Sequence, residues 1–190
     1  MNAIRRPRWR PELKAVHPLG KSPVVSDGSR ILAETGAIVE YLVETYDEGR
    51  LSPLAGTDAR LAYRYWLHYA EGSAMPPLLL KLVFSRLPDR APVPMRPLVR
   101  AVAGRALKGF VDPQLKLHVD YWEAELARSD WFAGEAFTAA DVMMSYPVEA
   151  AEARVGFDGR PRLKAFLARI QARPAYQRAL ERGGPYVVRR

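Results

Sequence analysis

Pro11–Leu42 reads PELKAVHPLGKSPVVSDGSRILAETGAIVEYL, and the fold turns on this stretch. Two apolar pairs, Val24-Val25 and Ile31-Leu32, flank Ser-Asp-Gly-Ser. Asp27-Gly28 signals a two-residue hairpin, because both central positions of the favoured turn take positive φ. The expected order is strand, turn, strand. The period then becomes helical: Ala37, Ile38, Tyr41, Leu42 and Tyr46 fall on one face. Thr35 stands where an N-cap belongs, with Glu34 before it. Upstream, Pro11–Val16 has room for one short helical turn. Downstream, the helix should end near Asp47-Glu48-Gly49, and the residues to Gly56, with Pro53, read as a linker.

Beyond the linker the pattern is helical throughout. One helix is expected from Asp58 to about Ser73, kinked or restarted at Met75-Pro76-Pro77 and running on through Leu78–Leu87, since each proline removes a donor and crowds the preceding turn. Residues 88–97 hold Pro88, Pro92, Pro94 and Pro97 and are expected to form a loop. Asp112-Pro113 reads as an N-cap followed by proline at the first helical position. It opens a helix with Leu115, Val119, Trp122 and Leu126 on one face. Thr138 and Asp141 form an acidic variant of the capping box, with Phe137 and Val142 as a hydrophobic staple. Asp158 or Gly159 should cap a helix with Leu163, Phe166, Leu167 and Ile170 as its buried stripe, and Pro174 begins a last short one. The fold class is therefore α+β and mostly α. The expected divisions are a loose basic arm at 1–10, a hairpin–helix piece at 11–47, a linker at 48–56 and a helical domain at 57–190.

Composition narrows the function. The 190 residues include no cysteine, which removes disulfides, thiolate metal sites and thiol nucleophiles, and fits a reducing cytoplasm. The three histidines, His17, His68 and His118, show no metal-ligand spacing, so no metal is expected. No apolar run approaches the roughly 20 residues that span a bilayer, and no membrane partner is expected. The net charge of +8 raises nucleic acid as a partner. The arginines are spread along the chain without a recognition motif, and a solvated surface is the simpler reading. Arg5, Arg6, Arg8 and Arg10 are the one local cluster suited to an anionic contact.

Four pieces in order, HPLGKSPVV at 17–25, AETGAIVEYL at 33–42, WFAGEAFTAADVMMSYP at 131–147 and RLKAFLARIQARPAYQRAL at 162–180, resemble the cytosolic glutathione transferase family. HYAEGSAMPPLL at 68–80 is similar to a bacterial or fungal subgroup. The resemblance spans roughly residues 11–182. It implies a partial thioredoxin-like β-hairpin–helix piece followed by the family's all-helical C-terminal domain. It also implies a cytoplasmic, detoxifying transferase that takes glutathione as substrate, with no metal.

The resemblance carries residue roles. The proline of the family's Gly-Lys-x-Pro is cis, and the residue before it pairs through its backbone with the cysteinyl part of glutathione; here these are Pro23 and Ser22. An acidic residue followed by Ser or Thr holds the γ-glutamyl group; here these are Glu34 and Thr35. A carboxylate suits that group's ammonium, and a hydroxyl-capped helix N-terminus suits its carboxylate. His17 and Lys21 lie close enough in sequence to meet the glycyl carboxylate. Tyr65, Tyr69 and Met75 are candidates for the pocket of an apolar electrophile, with core packing the competing reading of both tyrosines. Glu71 is a candidate to approach glutathione across a subunit boundary. Thr138 and Asp141 serve folding.

A complete member of that family would place strand, helix and strand before Pro11, with a Ser or Tyr that hydrogen-bonds the glutathione thiolate. Residues 1–10 are too few to hold those elements, and neither Ser nor Tyr precedes Ser22. The expectation is a half-site with no catalytic residue to name, from a truncated product, a late start or a reduced paralogue. The expected homodimer would be weakened by that loss. Two functions stay open: conjugation of glutathione to an apolar electrophile, or a non-catalytic, transferase-like module binding a protein partner or an apolar ligand.

Overall fold

The computed structural model describes residues 11–184 and Val188. The arginine cluster at 5–10 lies outside them. The chain divides into two compact units, Met1–Leu51 and Ser52–Arg190.

In the first unit, α1 (Pro11–Val16) leads through a turn to β1 (Val24–Asp27), β2 (Arg30–Ala33) and α2 (Thr35–Tyr46). Gly20 closes the turn after α1. Its N–H donates to the His17 carbonyl at 2.8 Å. Its φ is +57°, and a Cβ there would come within 2.7 Å of the Lys14 side chain, so only glycine fits. The two strands pair antiparallel, Val24 opposite Ala33 and Asp27 opposite Arg30. That register makes Gly28 and Ser29 the central residues of the turn, one position later than Asp27-Gly28. Only Gly28 of the two has positive φ, as in hairpin turns that need glycine at the first central position alone. Asp27 is thereby kept in the strand, where its side chain accepts hydrogen bonds from α2.

On α2 the buried residues are Ile38 and Val43. Leu42 and Tyr46, expected on the buried face, are exposed. Tyr46 is held instead by its hydroxyl, which donates to Asp27 Oδ2 at 2.5 Å, beside that of Tyr41 at 2.6 Å. A polar anchor thus replaces apolar packing on that side of the helix. Beyond Tyr46, Asp47 ends the helix: its backbone N–H still reaches the Val43 carbonyl, and its side chain accepts from the Leu51 N–H.

The second unit is helical. It comprises α3 (Asp58–Tyr69), α4 (Met75–Arg90), α5 (Arg96–Ala106), α6 (Asp112–Leu126), α7 (Ala139–Val155), α8 (Pro161–Gln171) and α9 (Pro174–Gly183). Thr57 caps α3 through the Arg60 N–H at 3.2 Å. A π turn, Ala70–Ala74, joins α3 to α4, and a second, Leu107–Val111, joins α5 to α6. Each ends two residues before a proline, Pro76 and Pro113. The Met75 N–H reaches the Ala70 carbonyl and the Asp112 N–H reaches the Leu107 carbonyl, each five residues back. The widened turn lets a residue without an N–H enter a helix that does not stop.

The expected N-cap at Asp112 is corrected accordingly. Its φ and ψ are −65° and −40°, inside a continuous helical run. The expected loop at 88–97 is also largely helical. Pro88 lies in the last turn of α4, a short 3₁₀ turn covers Val93–Met95, and Pro97 sits in the first turn of α5, where a missing N–H costs nothing.

The core is built on Trp66, Leu78, Leu115, Trp122, Met144, Phe157, Leu163 and Phe166, all essentially inaccessible. Helix α7 runs through it, buried at Ala139, Ala140, Met143, Met144, Val148, Ala150 and Ala151. Its alanines allow neighbouring backbones close approach. The stripe expected on α6 is buried as read, and so is that on α8. Helix α8 starts at Pro161, and its cap comes from elsewhere: the Glu123 carboxylate of α6 accepts the N–H groups of Arg162 at 3.0 Å and Leu163 at 2.9 Å. Neither Asp158 nor Gly159 does this.

The capping box of α7 is complete. Asp141 Oδ2 takes the Thr138 N–H at 2.8 Å and the Thr138 hydroxyl at 3.0 Å, while Oδ1 takes the Phe132 N–H at 2.8 Å. No staple accompanies it. Val142 is exposed, and Phe137 packs edge-on against Trp131 and under the Arg173 guanidinium. Among the described residues no helix is long and apolar enough to cross a membrane.

Candidate functional site

The hairpin register gathers the residues proposed to bind a ligand in the first unit. Because Val24 faces Ala33, Pro23 and Glu34 are the next residues beyond that rung, at the same end of the ladder. The helix that follows opens at that end too. Ser22, Pro23 and Glu34 are exposed and Thr35 is half-buried. The Ser22–Pro23 peptide is cis. Lys21 is exposed in the turn entering β1. His17 is half-buried, and its Nδ1 accepts the Leu19 N–H over a long 3.4 Å, which ties it to the same turn.

The start of α2 differs from the sequence expectation. The Glu34 carbonyl accepts the first helical bond, from the Ile38 N–H at 3.0 Å. Glu34 is therefore the N-cap residue, and Thr35 is the first residue of the helix. No side chain caps α2. Its leading N–H groups, with the positive end of the helix dipole, face outward beside a carboxylate and a hydroxyl. Glu34 also holds φ 72° and ψ 125°, a conformation that costs a residue with a Cβ about 1–3 kcal/mol. Nothing in the one-letter sequence signals that strain.

In the second unit, Tyr65 and Tyr69 line an open depression of about 430 Å³ together with Leu61, Arg64, His68 and Ser73. Met75 lies outside it. Glu71 is exposed on the adjoining π turn. The two tyrosines differ in kind. Tyr65 is about half exposed, whereas Tyr69 is buried. The Tyr69 hydroxyl accepts the Trp122 indole N–H at 3.1 Å and meets His118 Nδ1. Burial pushes it up to about 12. Tyr69 thus carries both the core and the pocket reading: it is among the residues lining the depression, and its hydroxyl is bonded within the interior. His118 and Trp122 were invisible as partners of Tyr69, since about fifty residues separate them. The groups of three or more His, Cys, Asp or Glu side chains that a metal ion would need do not occur among the described residues.

Comparison with known proteins places this geometry. Residues 2–44 match the glutathione S-transferase N-terminal domain and residues 107–169 the glutathione S-transferase C-terminal domain. "Glutathione S-transferase 3" of Schizosaccharomyces pombe is 33% identical over 175 residues, covering 90% of this chain and 72% of the relative. The chain belongs to the glutathione S-transferase family. "Glutathione S-transferase 1" of Saccharomyces cerevisiae is 29% identical over 182 residues, covering 90% of this chain and 78% of that protein. A glutathione S-transferase crystal structure from Actinobacillus pleuropneumoniae superposes with a TM-score of 0.70 at 34% identity, covering 90% of this chain and 73% of the other. The expected fold, a thioredoxin-like piece plus a helical transferase C-terminal domain, agrees with the two matched domains and with that solved structure. The Thr138–Asp141 box and the open N-terminus of α2 accordingly lie in the matched family's framework.

Proposed function

We propose that this chain binds glutathione at the hairpin end of its first unit and adds the glutathione thiolate to an apolar electrophile. The Ser22 backbone, beside Pro23, is assigned to the cysteinyl segment, in the manner of an added strand. Glu34 is assigned to the γ-glutamyl ammonium, and the α2 N-terminus with Thr35 to the γ-glutamyl carboxylate. His17 and Lys21 are assigned to the glycyl carboxylate. In the reaction glutathione loses its thiol proton to solvent, sulfur attacks the electrophilic carbon, a carbon–sulfur bond forms and the leaving group departs with its electron pair. Tyr65, Tyr69 and Met75 are assigned to the electrophile. Glu71 is assigned to the glutathione bound by the second subunit of a cytoplasmic homodimer.

The observation that carries this reading is Glu34: an exposed carboxylate on a strained backbone, beside an uncapped helix start. Such strain persists where function selects it. The test is retention on immobilised glutathione, followed by turnover of a chlorinated nitrobenzene with glutathione. Retention by the native chain and its loss in Glu34→Ala are expected. Retention unchanged in that variant overturns the ligand assignment. Retention without turnover at high protein concentration overturns the conjugation step alone.

A further inference from the structure

The end of the helical unit where α4 gives way to α5 is both apolar and basic. Leu87, Val93, Met95, Leu98 and Val102 are all exposed there, Val93 and Leu98 to 70% and 64%. Arg86, Arg90, Arg96 and Arg100 are exposed along the same stretch, with Asp89 the single carboxylate between Arg86 and Val102; on α5 the arginines flank the apolar side chains from the other side of the helix. From Arg90 to Val111 the chain carries Arg90, Arg96, Arg100, Arg105 and Lys108 and no Asp or Glu. This segment is thus one of the stretches of the chain where positive charge runs without a balancing carboxylate.

The placement follows from the helix ends. Helix α4 stops at Arg90 and α5 starts at Arg96. At 1.5 Å per residue, Leu87, Leu98 and Val102 all lie within about 10 Å of the turn along their axes. Pro92, Pro94 and Pro97 fix φ through the turn, so little chain entropy is lost when the tip is held against a surface. An exposed apolar cluster of this kind on a helix end marks an interaction surface.

The combination selects the partner. A nucleic acid would satisfy the guanidinium groups but leave Val93, Met95 and Leu98 in water. An anionic bilayer satisfies both: apolar side chains enter the headgroup–acyl boundary while arginines meet lipid phosphates and carboxylates, their stems lying along the apolar surface. We propose that the α4–α5 tip docks the protein on the surface of an anionic lipid bilayer. The contact is peripheral, needs no spanning helix, and is independent of the glutathione reading.

The full chain is sedimented with vesicles of phosphatidylcholine alone and with vesicles containing about one-third phosphatidylserine. Binding to the second and not the first, falling as salt rises, is expected. Arg96→Gln with Arg100→Gln should lower the partition coefficient roughly 30-fold. Val93→Ser with Leu98→Ser should lower it by about tenfold. Leu98→Trp supplies an independent readout, a blue shift of its emission on the anionic vesicles. Equal binding to neutral vesicles, no binding in low salt, or an unshifted Leu98→Trp emission overturns the proposal. So does full binding by the Val93/Leu98 variant, which would leave only adsorption of charge. Capture of duplex DNA without any vesicle binding would reassign the surface to nucleic acid.

Discussion

The Trp122 indole N–H donates to the Tyr69 hydroxyl at 3.1 Å, joining α6 to α3 in the core. Trp122 can only donate, so the hydroxyl's own proton is directed to His118 Nδ1. Burial holds His118 below its ordinary pKa, which keeps the imidazole neutral and able to accept. The Tyr69 hydroxyl, pushed up to about 12, stays protonated and links the two helices. Tyr69→Phe strands the Trp122 N–H and should cost about 1–3 kcal/mol in urea unfolding. A variant as stable as the parent would show that the hydroxyl links nothing.

Asp141 joins the loop before α7 to the helix itself. It is fully buried, and burial pushes its carboxyl above the usual range despite the donors that hold it down. Removing it orphans the N–H groups of Phe132 and Thr138 together. Asp141→Ala should therefore cost about 3 kcal/mol or more, against about 1 kcal/mol for Thr138→Ala, which loses a hydroxyl and keeps the carboxylate. Equal losses in the two variants would mean that the link to Phe132 adds nothing.

Asp27 and Tyr46 shift each other in opposite senses. The Tyr41 hydroxyl, then that of Tyr46, holds the Asp27 carboxyl below its ordinary value. The bond to Asp27 pushes Tyr46 up to about 12. A depressed carboxyl contributes stability that is present above its unfolded pKa and lost as pH falls through the folded one. A raised phenol contributes stability that is present below its unfolded value and lost as pH rises through about 12. Tyr46 is exposed and Asp27 half-buried, so titration is the sensitive readout. In tyrosinate absorbance, Asp27→Asn should return one tyrosine toward its ordinary value of about 10. Superimposable curves for parent and variant would rule out the anchor.

What the sequence made legible was local. Thr138 and Asp141, three residues apart, announced their capping box, and the buried stripes of α6 and α8 followed from helical spacing. The errors came where a local signal had two physical outcomes. Proline reads as a breaker, yet its fixed φ suits a first turn at Pro97 and its missing N–H suits the exit of a π turn at Pro76 and Pro113. Asp27-Gly28 reads as a turn centre, but Asp27 gains two hydroxyl donors by staying in the strand. Partners distant in sequence were beyond reach: Glu123 capping α8 from some forty residues away, or Trp122 reaching Tyr69. In the candidate site, Glu34 was visible as a carboxylate beside Thr35, while its backbone strain arises from the joint geometry of β2 and α2.

That strain makes Glu34 the residue where stability and binding should separate. Its backbone, at φ 72° and ψ 125°, suits glycine better than any residue with a Cβ. The side chain forms no cap that would be missed. Glu34→Gly should therefore stabilise the first unit by about 1 kcal/mol, net of the extra entropy that glycine gives the unfolded chain. The same substitution removes the carboxylate assigned to the γ-glutamyl ammonium, so retention on glutathione should fall. Glu34→Gln keeps both the strain and most of the shape, and should lose retention with no gain in stability. Hydrogen exchange of the α2 amides gives the stability readout for this unit alone. If Glu34→Gly loses stability and retention together, the residue serves the fold, and the strained carboxylate has no separate role in binding.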